Sequence, residues 1–184
     1  MSPRRASGSE QGRAEREAIE REAASGPLRL VRVGKARYAP FDGTGAALEG
    51  GRWNSPGAPV VYAALSYAGV LLEILVHAGT NDLPGPHHGV TIDVPAGVAV
   101  ERLRPESIPG WDAPDERASR AAGDRWRTTG RSAVLLVPSV VAAPHDWNAV
   151  VDPRHPDAAR LVVSAPTPVV WGPRLFARAR RGAR

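Results

Sequence analysis

The sequence predicts an α+β fold, in which a single domain contains a mixed sheet and flanking helices. Short apolar runs typical of strands alternate irregularly with few helical patterns, whereas a doubly wound sheet would show a regular alternation of strand and helix. The chain has 184 residues, of which 42% are hydrophobic. It can therefore bury one core but has little room for a second domain.

The predicted elements follow from local residue patterns in chain order. Residues 1–26 hold five arginines and five glutamates with few large apolar residues, so we predict a charged, partly helical arm outside the core. Residues 28–33 (LRLVRV) alternate apolar and basic side chains, which predicts a strand with Arg29 and Arg32 on opposite faces. Glycine and proline residues then predict a long loop over residues 39–51.

The following strand and helix are the clearest local signals. Residues 59–64 (PVVYAA) are rich in β-forming residues, and Tyr62 shares a strand face with two core residues. Ser66 is a suitable N-cap for a helix over residues 67–78, which Gly79 would end. The helix is apolar nearly all round, so we predict that it is buried. Its unbroken apolar runs are far shorter than the roughly 20 residues of a membrane span, which we exclude.

The second half of the chain contains more strands than helices. The predicted elements are one helix over residues 117–128 and strands over residues 89–94, 98–103, 133–138 and 160–164. Turn residues separate the first two of these strands. This content agrees with a sheet that is larger than its helical covering.

Composition excludes several classes of chemistry and location. The chain has no cysteine, which excludes disulfides, thiol nucleophiles and thiolate metal sites. Its five histidines do not fall at the spacing of a helical zinc motif, and we predict no metal. A serine, carboxylate or tyrosine must therefore carry any catalysis. The N-terminus lacks the apolar core of a signal peptide, so we expect a cytoplasmic protein.

The net charge of +5 is concentrated at the C-terminus. From Trp171 onward the chain contains five arginines and no acidic residue. We therefore treat residues 177–184 as a basic tail, which typically reflects solubility or loose attraction to polyanions and not a specific nucleic-acid site. A non-catalytic, basic nucleic-acid-binding module stays open as a third function, with this tail as its support.

A single carboxylate, Glu73, interrupts the apolar helix. Moving an ionised carboxylate out of water costs several kcal/mol unless donors or a cation meet it, so the sequence predicts a partner. The nearest cation along the chain is Arg52. Taken alone, such a pair is more often a structural ion pair than a catalytic one, and both interpretations stay open at this point.

Several separated motifs together resemble the RES domain, a family named for its arginine, glutamate and serine. In order, they are Arg32, GGRWNSPG at residues 50–57, VVYAALSYAGVLLEILVH at 60–77, LLVPS at 135–139, WNAVVDPRHP at 147–156 and GPRLF at 172–176. The resemblance covers residues 28–176, and we assign residues 27–176 to this domain.

The resemblance implies a fold, an activity and partners. The fold would be ADP-ribosyltransferase-like, and the activity would be that of a bacterial toxin that degrades NAD⁺ by cleaving its nicotinamide–ribose bond. NAD⁺ would be a substrate and not a cofactor, with phosphate as co-substrate if the reaction is phosphorolysis and not hydrolysis. The expected partner is an Xre-type antitoxin, and the expected state is a homodimer within the toxin–antitoxin complex. A protein ADP-ribosyltransferase toxin is the alternative.

The resemblance also assigns roles to individual residues. It implies that Glu73, Arg32 and Ser139 are catalytic and that Arg52 and Tyr62 bind substrate. Chemically, a carboxylate stabilises positive charge on the ribose, and an arginine offers planar donors to a pyrophosphate. Tyrosine and serine can contact the nicotinamide ring and its amide.

Three other positions of the resemblance carry no assigned contact with substrate. The family often has an aromatic residue immediately before its first arginine, and Val31 stands there in this chain, so a ring contact does not carry over. Asn148 and His155 match the late motif and are interpreted as structural. We expect Asn148 to fix a turn, a position that asparagine favours.

Overall fold

The computed structural model describes residues 19–22, 27–78 and 85–176. Its strands are β1 Ile19–Glu22, β2 Leu28–Lys35, β3 Val61–Ala64, β4 His87–Val94, β5 Val100–Leu103, β6 Val134–Pro138, β7 Trp147–Val151, β8 Val162–Val163 and β9 Thr167–Pro168. The α-helices are α1 Thr44–Glu49, α2 Tyr67–Ala78 and α3 Arg117–Thr129. Short 3-10 helices span Pro105–Ser107, Pro156–Arg160 and Pro173–Phe176. The predicted α+β class is confirmed.

All of these strands belong to one mixed sheet. The strand order is β1-β5-β6-β7-β3-β2-β4-β8, and β9 also pairs with β4. The β5–β6 pair is parallel and the other pairs are antiparallel. Strands β4 and β6 are separated by β7, β3 and β2, yet Ile92 and Leu136 belong to the same buried cluster. The sheet therefore curls so that its distant strands share one core.

The two faces of the sheet are covered differently. Residues that alternate along the strands, such as Val61 and Val151, fill the inside of the curl. On the other face, Val60, Leu135 and Val150 pack against Trp126 of α3. Burial of both faces explains why β6 (VLLVP) is apolar throughout rather than in every second position.

The loop before β3 is bound tightly to α3. Ser55 donates from its backbone nitrogen and its hydroxyl to the two carboxylate oxygens of Asp124, at 3.0 and 2.5 Å. A Cβ atom at Gly123 would overlap the backbone carbonyl of Trp53. Glycine at this helix position therefore allows the backbone of the 51–57 loop to lie directly against the backbone of α3.

Helix α2 has the predicted bounds, but the prediction that it is buried is only partly right. The Ser66 hydroxyl accepts a hydrogen bond from the backbone nitrogen of Gly69 at 2.9 Å, as expected of an N-cap. Val70 faces the sheet, whereas Leu72 and Val76 are 41% and 56% exposed. The helix contacts the sheet with one face, so its other face is open although it is apolar. Gly79, the predicted end, lies outside the described residues.

Helix α1 and strand β7 differ from the predictions, and the strand predicted over residues 160–164 is limited to β8, Val162–Val163. Helix α1 interrupts the predicted 39–51 loop. Gly43 and Gly50 flank the helix at φ values of 69° and 75°, and in the sequence these glycines indicate a loop. Strand β7 was not predicted, because Asn148 weakens its β pattern and the strand depends on pairing with both β3 and β6.

The charged arm is described in one short segment. There, β1 pairs with β5 as an edge strand. The helical prediction is therefore wrong for these four residues. Hydrogen bonding to β5 determines their conformation more than their own helix propensity does. The rest of the arm and the predicted tail at 177–184 lie outside the described residues. Among the described residues, no helix has the length and apolar character needed to cross a membrane.

Candidate active site

Glu73, Ser139 and Asn148 form a hydrogen-bonded cluster where α2 packs on the sheet. The Ser139 hydroxyl donates to Oε1 of Glu73 at 2.8 Å, and Nδ2 of Asn148 donates to the same oxygen at 2.7 Å. Glu73 comes from α2, Ser139 follows β6, and Asn148 lies in β7. The structure thus brings together two of the three predicted catalytic residues. It also adds a third side chain.

Ser139 is held so that its hydroxyl proton points to Glu73. The residue is 3% exposed, and its hydroxyl oxygen accepts a hydrogen bond from the backbone nitrogen of Ala142 at 3.0 Å. With one lone pair occupied, the hydroxyl hydrogen is directed to the carboxylate. Ser139 therefore orients Glu73.

Arg52 is not the partner of Glu73, so that prediction is wrong. Its NH1 donates to the backbone carbonyls of Trp111 and Ala113 at 3.2 and 3.0 Å. Its NH2 lies 3.6 Å from the carboxylate of Glu116. Glu116 has a φ of 58° and also accepts a 2.8 Å hydrogen bond from Arg120. The guanidinium therefore ties the 51–57 loop to the segment that leads into α3.

These contacts predict that Arg52→Ala affects stability more than substrate binding. Losing hydrogen bonds from a charged donor to two carbonyls should lower the free energy of unfolding by about 2 kcal/mol. We expect chemical denaturation to detect this loss. The KM for NAD⁺, the substrate that the family resemblance implies, should stay within about threefold of the original value where the variant is folded. Arg154→Ala, at an exposed position, is the matched control. A large rise in KM with unchanged stability would restore Arg52 as a substrate-binding residue.

Arg32 is a half-buried cation that uses only part of its hydrogen-bonding capacity within the described residues. Strands β2 and β3 pair at the Val31–Ala64 register position, and beside it NH1 of Arg32 donates to the backbone carbonyl of Tyr62 at 2.9 Å. Its Nε is buried and has no hydrogen-bond partner among the described residues. Burial lowers the pKa of Arg32 from its usual value, and the charge of Asp42 partly offsets this effect. The guanidinium stays charged and suits an anionic ligand.

Arg32 and Tyr62 line a cavity of about 210 Å³. The other lining residues are Gly43, Gly45, Ala46, Glu49, Gly50 and Val60. Several of these are glycines, so the backbone of the segment around α1 forms much of the wall. An anionic group that enters this cavity would meet the Arg32 side chain.

Tyr62 uses its hydroxyl to hold the neighbouring loop. The oxygen accepts a hydrogen bond from the backbone nitrogen of Trp53 at 3.0 Å, and the hydroxyl donates to Oδ1 of Asn54 at 2.7 Å. Burial raises the pKa of the Tyr62 phenol well above its usual value, so the phenol stays protonated as this donor. The ring, and not the hydroxyl, is therefore the part of Tyr62 available to a substrate.

The Glu73 cluster and the Arg32 cavity lie on neighbouring parts of the sheet. Asn148 pairs with Ala64 of β3, and Tyr62 is two residues earlier on that strand. This spacing corresponds to about 7 Å along the strand. Tyr62 therefore lies on the same face of β3 as Ala64, the residue that pairs with Asn148.

The remaining predicted positions have mixed outcomes. The expectation that Asn148 fixes a turn is wrong, because it lies within β7. A polar side chain at an alternating position of an apolar run was the signal that could have identified it. His155 is structural as expected: its Nδ1 accepts from the backbone nitrogen of Asp157 at 3.0 Å, and its Nε2 lies 3.1 Å from the carbonyl of Gly130. Val31 packs beside α2.

No metal centre is found in the part of the chain that the structure describes. Within those ranges, histidine and acidic side chains do not gather in a group that could hold an ion.

Comparison with known proteins identifies the family. The sequence model described as RES domain matches residues 29–172. The chain is 40% identical over 143 residues to a protein of Sphingobium sp. (strain YBL2) named Prs ADP-ribosylating toxin, covering 76% of this chain and 88% of that protein. It is 38% identical over 135 residues to Toxin Res of Pseudomonas putida (strain KT2440), covering 71% and 91% respectively.

A solved structure has the same fold. The crystal structure of the M. tuberculosis MbcT-MbcA toxin-antitoxin complex contains a chain that matches with a TM-score of 0.70 at 21% identity. The match covers 92% of this chain and 96% of that one. At this identity the likeness concerns the fold, and the family follows from the sequence matches. The chain belongs to the RES-domain toxins.

Proposed function

We propose that this chain cleaves the nicotinamide–ribose bond of NAD⁺. The observation that carries the proposal is the Glu73 carboxylate, which accepts hydrogen bonds from Ser139 and Asn148 through one oxygen. Both donors are neutral, so they orient the carboxylate without cancelling its negative charge. A fixed negative charge is what a reaction that develops positive charge on its substrate needs.

The proposed reaction develops such a charge on the ribose. When the bond between C1′ and the nicotinamide nitrogen breaks, its electron pair leaves with nicotinamide, and the ribose becomes oxocarbenium-like. Glu73 would stabilise this state electrostatically from near C1′ or the 2′-hydroxyl. Water or phosphate would then add to C1′ and complete hydrolysis or phosphorolysis. The identity of this acceptor is a separate question from the cleavage.

Arg32 supports NAD⁺ as the substrate class. The half-buried guanidinium donates from NH1 to the Tyr62 carbonyl, and its other N–H groups could donate to the pyrophosphate, whose oxygens accept charge-assisted hydrogen bonds. The ring of Tyr62, which lines the same cavity, would pack on a flat part of the same molecule. We propose this division of work between Glu73 at the reacting bond and Arg32 at the phosphates.

Transfer of ADP-ribose to a protein is a second candidate. It is favoured by the relative at 40% identity, which is named an ADP-ribosylating toxin. The same oxocarbenium-like state would be attacked by a protein side chain in place of water or phosphate. Glu73 and Arg32 would keep their roles, so the acceptor alone distinguishes the two candidates.

We further propose that an antitoxin protein restrains this chain. The structural neighbour was solved as a toxin–antitoxin complex, and relatives in three bacteria carry the name Toxin Res. The Xre type of the antitoxin and a homodimeric toxin are implied by the family resemblance. Copurification with the product of the neighbouring gene, followed by light scattering, would test both.

One assay tests cleavage and its acceptor. The purified chain is incubated with NAD⁺, with and without phosphate, and free nicotinamide and ADP-ribose products are quantified. Phosphate-dependent release supports phosphorolysis, and phosphate-independent release supports hydrolysis. Labelled NAD⁺ added with a cell lysate marks a protein band if ADP-ribose is transferred to protein. A folded chain that neither releases nicotinamide nor labels a protein would contradict the proposal.

A further inference from the structure

We propose that Asn148 is a positioning residue that, with Ser139, fixes Oε1 of Glu73 and leaves Oε2 as the oxygen that faces the reacting ribose. This inference rests on the proposed function for the reaction itself. It assigns different roles to the two oxygens of the Glu73 carboxylate. It also gives a role to a side chain other than the arginine, glutamate and serine of the family name.

The hydrogen bonds distinguish the two carboxylate oxygens. Nδ2 of Asn148 lies 2.7 Å and the hydroxyl of Ser139 lies 2.8 Å from Oε1. A carboxylate has about two acceptor sites on each oxygen, so these two donors occupy Oε1. Among the described residues Oε2 has no hydrogen-bond partner, so its acceptor sites are open to a substrate hydroxyl or to the developing charge. Two bonds to one oxygen also fix the rotation of the carboxylate group.

Asn148 is itself held by the most regular part of the molecule. It lies in the interior of β7 and pairs with Ala64 of β3 on one side and Val137 of β6 on the other. A strand paired on both edges positions a side chain more rigidly than a loop does. Ser139 follows β6, the neighbouring strand, so two adjacent strands set the orientation of a carboxylate carried by α2.

The side-chain amide is chemically suited to this role. An arginine or lysine at this position would orient the carboxylate but would also neutralise its charge. An aspartate has nearly the same shape as asparagine but would repel Glu73 and donate no hydrogen bond at neutral pH. The amide provides a donor without a charge, which predicts a sharp difference between asparagine and its isosteric acid.

The test compares Asn148→Asp and Asn148→Ala with the original full-length chain. We measure kcat and KM for nicotinamide release together with the thermal unfolding midpoint. If Asn148 positions Glu73, kcat should fall about 100-fold, since small misplacements of a catalytic group have effects of that size. KM should stay within about threefold, because Asn148 contacts the carboxylate and not the phosphates. Asn148→Asp should be the slower variant.

The same assay includes a control variant at a site away from Glu73. Ser164→Ala removes another side-chain hydrogen bond at a sheet edge, the one that Ser164 accepts from the backbone nitrogen of Thr91, and it should keep the original kcat. If the Asn148 variants lose activity only in proportion to their unfolded fraction, Asn148 is structural and the proposal is wrong.

Two readouts do not depend on NAD⁺ as the substrate. The side-chain amide signals of Asn148 in a ¹⁵N-correlated spectrum should shift in Glu73→Ala and stay nearly unchanged in Ser164→Ala. Growth arrest after expression should be lost with Asn148→Asp and kept with Ser164→Ala. If the original chain arrests growth without releasing nicotinamide, the proposed function fails and these readouts still decide the role of Asn148. Unshifted amide signals in Glu73→Ala, or growth arrest that is retained with Asn148→Asp, would overturn the positioning role of Asn148.

Discussion

Glu73→Gln should reduce nicotinamide release about 1,000-fold and leave the protein folded, since losing one stabilising group at a developing charge has effects of this order. Glutamine has nearly the same shape as glutamate, and its side-chain oxygen can accept the hydrogen bonds from Ser139 and Asn148. The variant therefore loses the negative charge and keeps the packing. Expression of Glu73→Gln should also no longer arrest growth.

The measurement combines product release with a thermal unfolding curve. Glu106→Gln changes an exposed glutamate outside the site and should leave kcat unchanged. Undiminished turnover in Glu73→Gln would remove Glu73 from the reaction. A large drop in the unfolding midpoint, with turnover per folded molecule unchanged, would instead mark Glu73 as a structural carboxylate.

The sequence identified this carboxylate but not its partners. An ionisable residue in an apolar helix signals a site because burial of a charge needs compensation. The partners lie far away along the chain: Ser139 is separated from Glu73 by 66 positions and Asn148 by 75. Arg52 was the nearest cation in sequence, and its donors are bound elsewhere. Distance along the chain does not identify the contact, because sheet order brings β6 and β7 beside α2.

Local signals predicted helix bounds better than burial. The bounds of α2 follow from the Ser66 cap, which acts within a few residues. Its exposed face depends on which neighbours the fold supplies, and so Leu72 and Val76 were predicted wrongly as buried. Strand β7 shows the opposite case, in which pairing on both edges makes a strand of a segment with a weak β pattern.

Arg32 and Arg52 are alike in the sequence and differ in the structure. Arg52 donates to two carbonyls and approaches the carboxylate of Glu116, so its hydrogen-bonding capacity is largely used within the protein. Arg32 donates to one carbonyl and keeps a buried Nε without a partner among the described residues. Composition and spacing carry no information about this difference, because it arises where β2 and β3 diverge.

The difference predicts that Arg32→Gln weakens substrate binding without slowing the reaction step. In the proposed binding mode, two charge-assisted hydrogen bonds to the pyrophosphate would contribute about 3 kcal/mol together, and their loss should raise the KM for NAD⁺ about 100-fold. Glutamine is shorter than arginine and loses one hydrogen bond to the Tyr62 carbonyl, a loss of about 1 kcal/mol that should leave the protein folded.

The comparison with Arg52→Ala makes this expectation specific. For Arg32→Gln, kcat should stay within about threefold, because Glu73 and its donors are unchanged. Arg52→Ala should show the reverse pattern, with lower stability and nearly unchanged KM. Titration of each variant with NAD⁺ by calorimetry would measure binding apart from turnover. An Arg32→Gln variant that binds NAD⁺ as tightly as the original chain would mean that the pyrophosphate lies elsewhere, and the cavity around Arg32 would then need a different ligand.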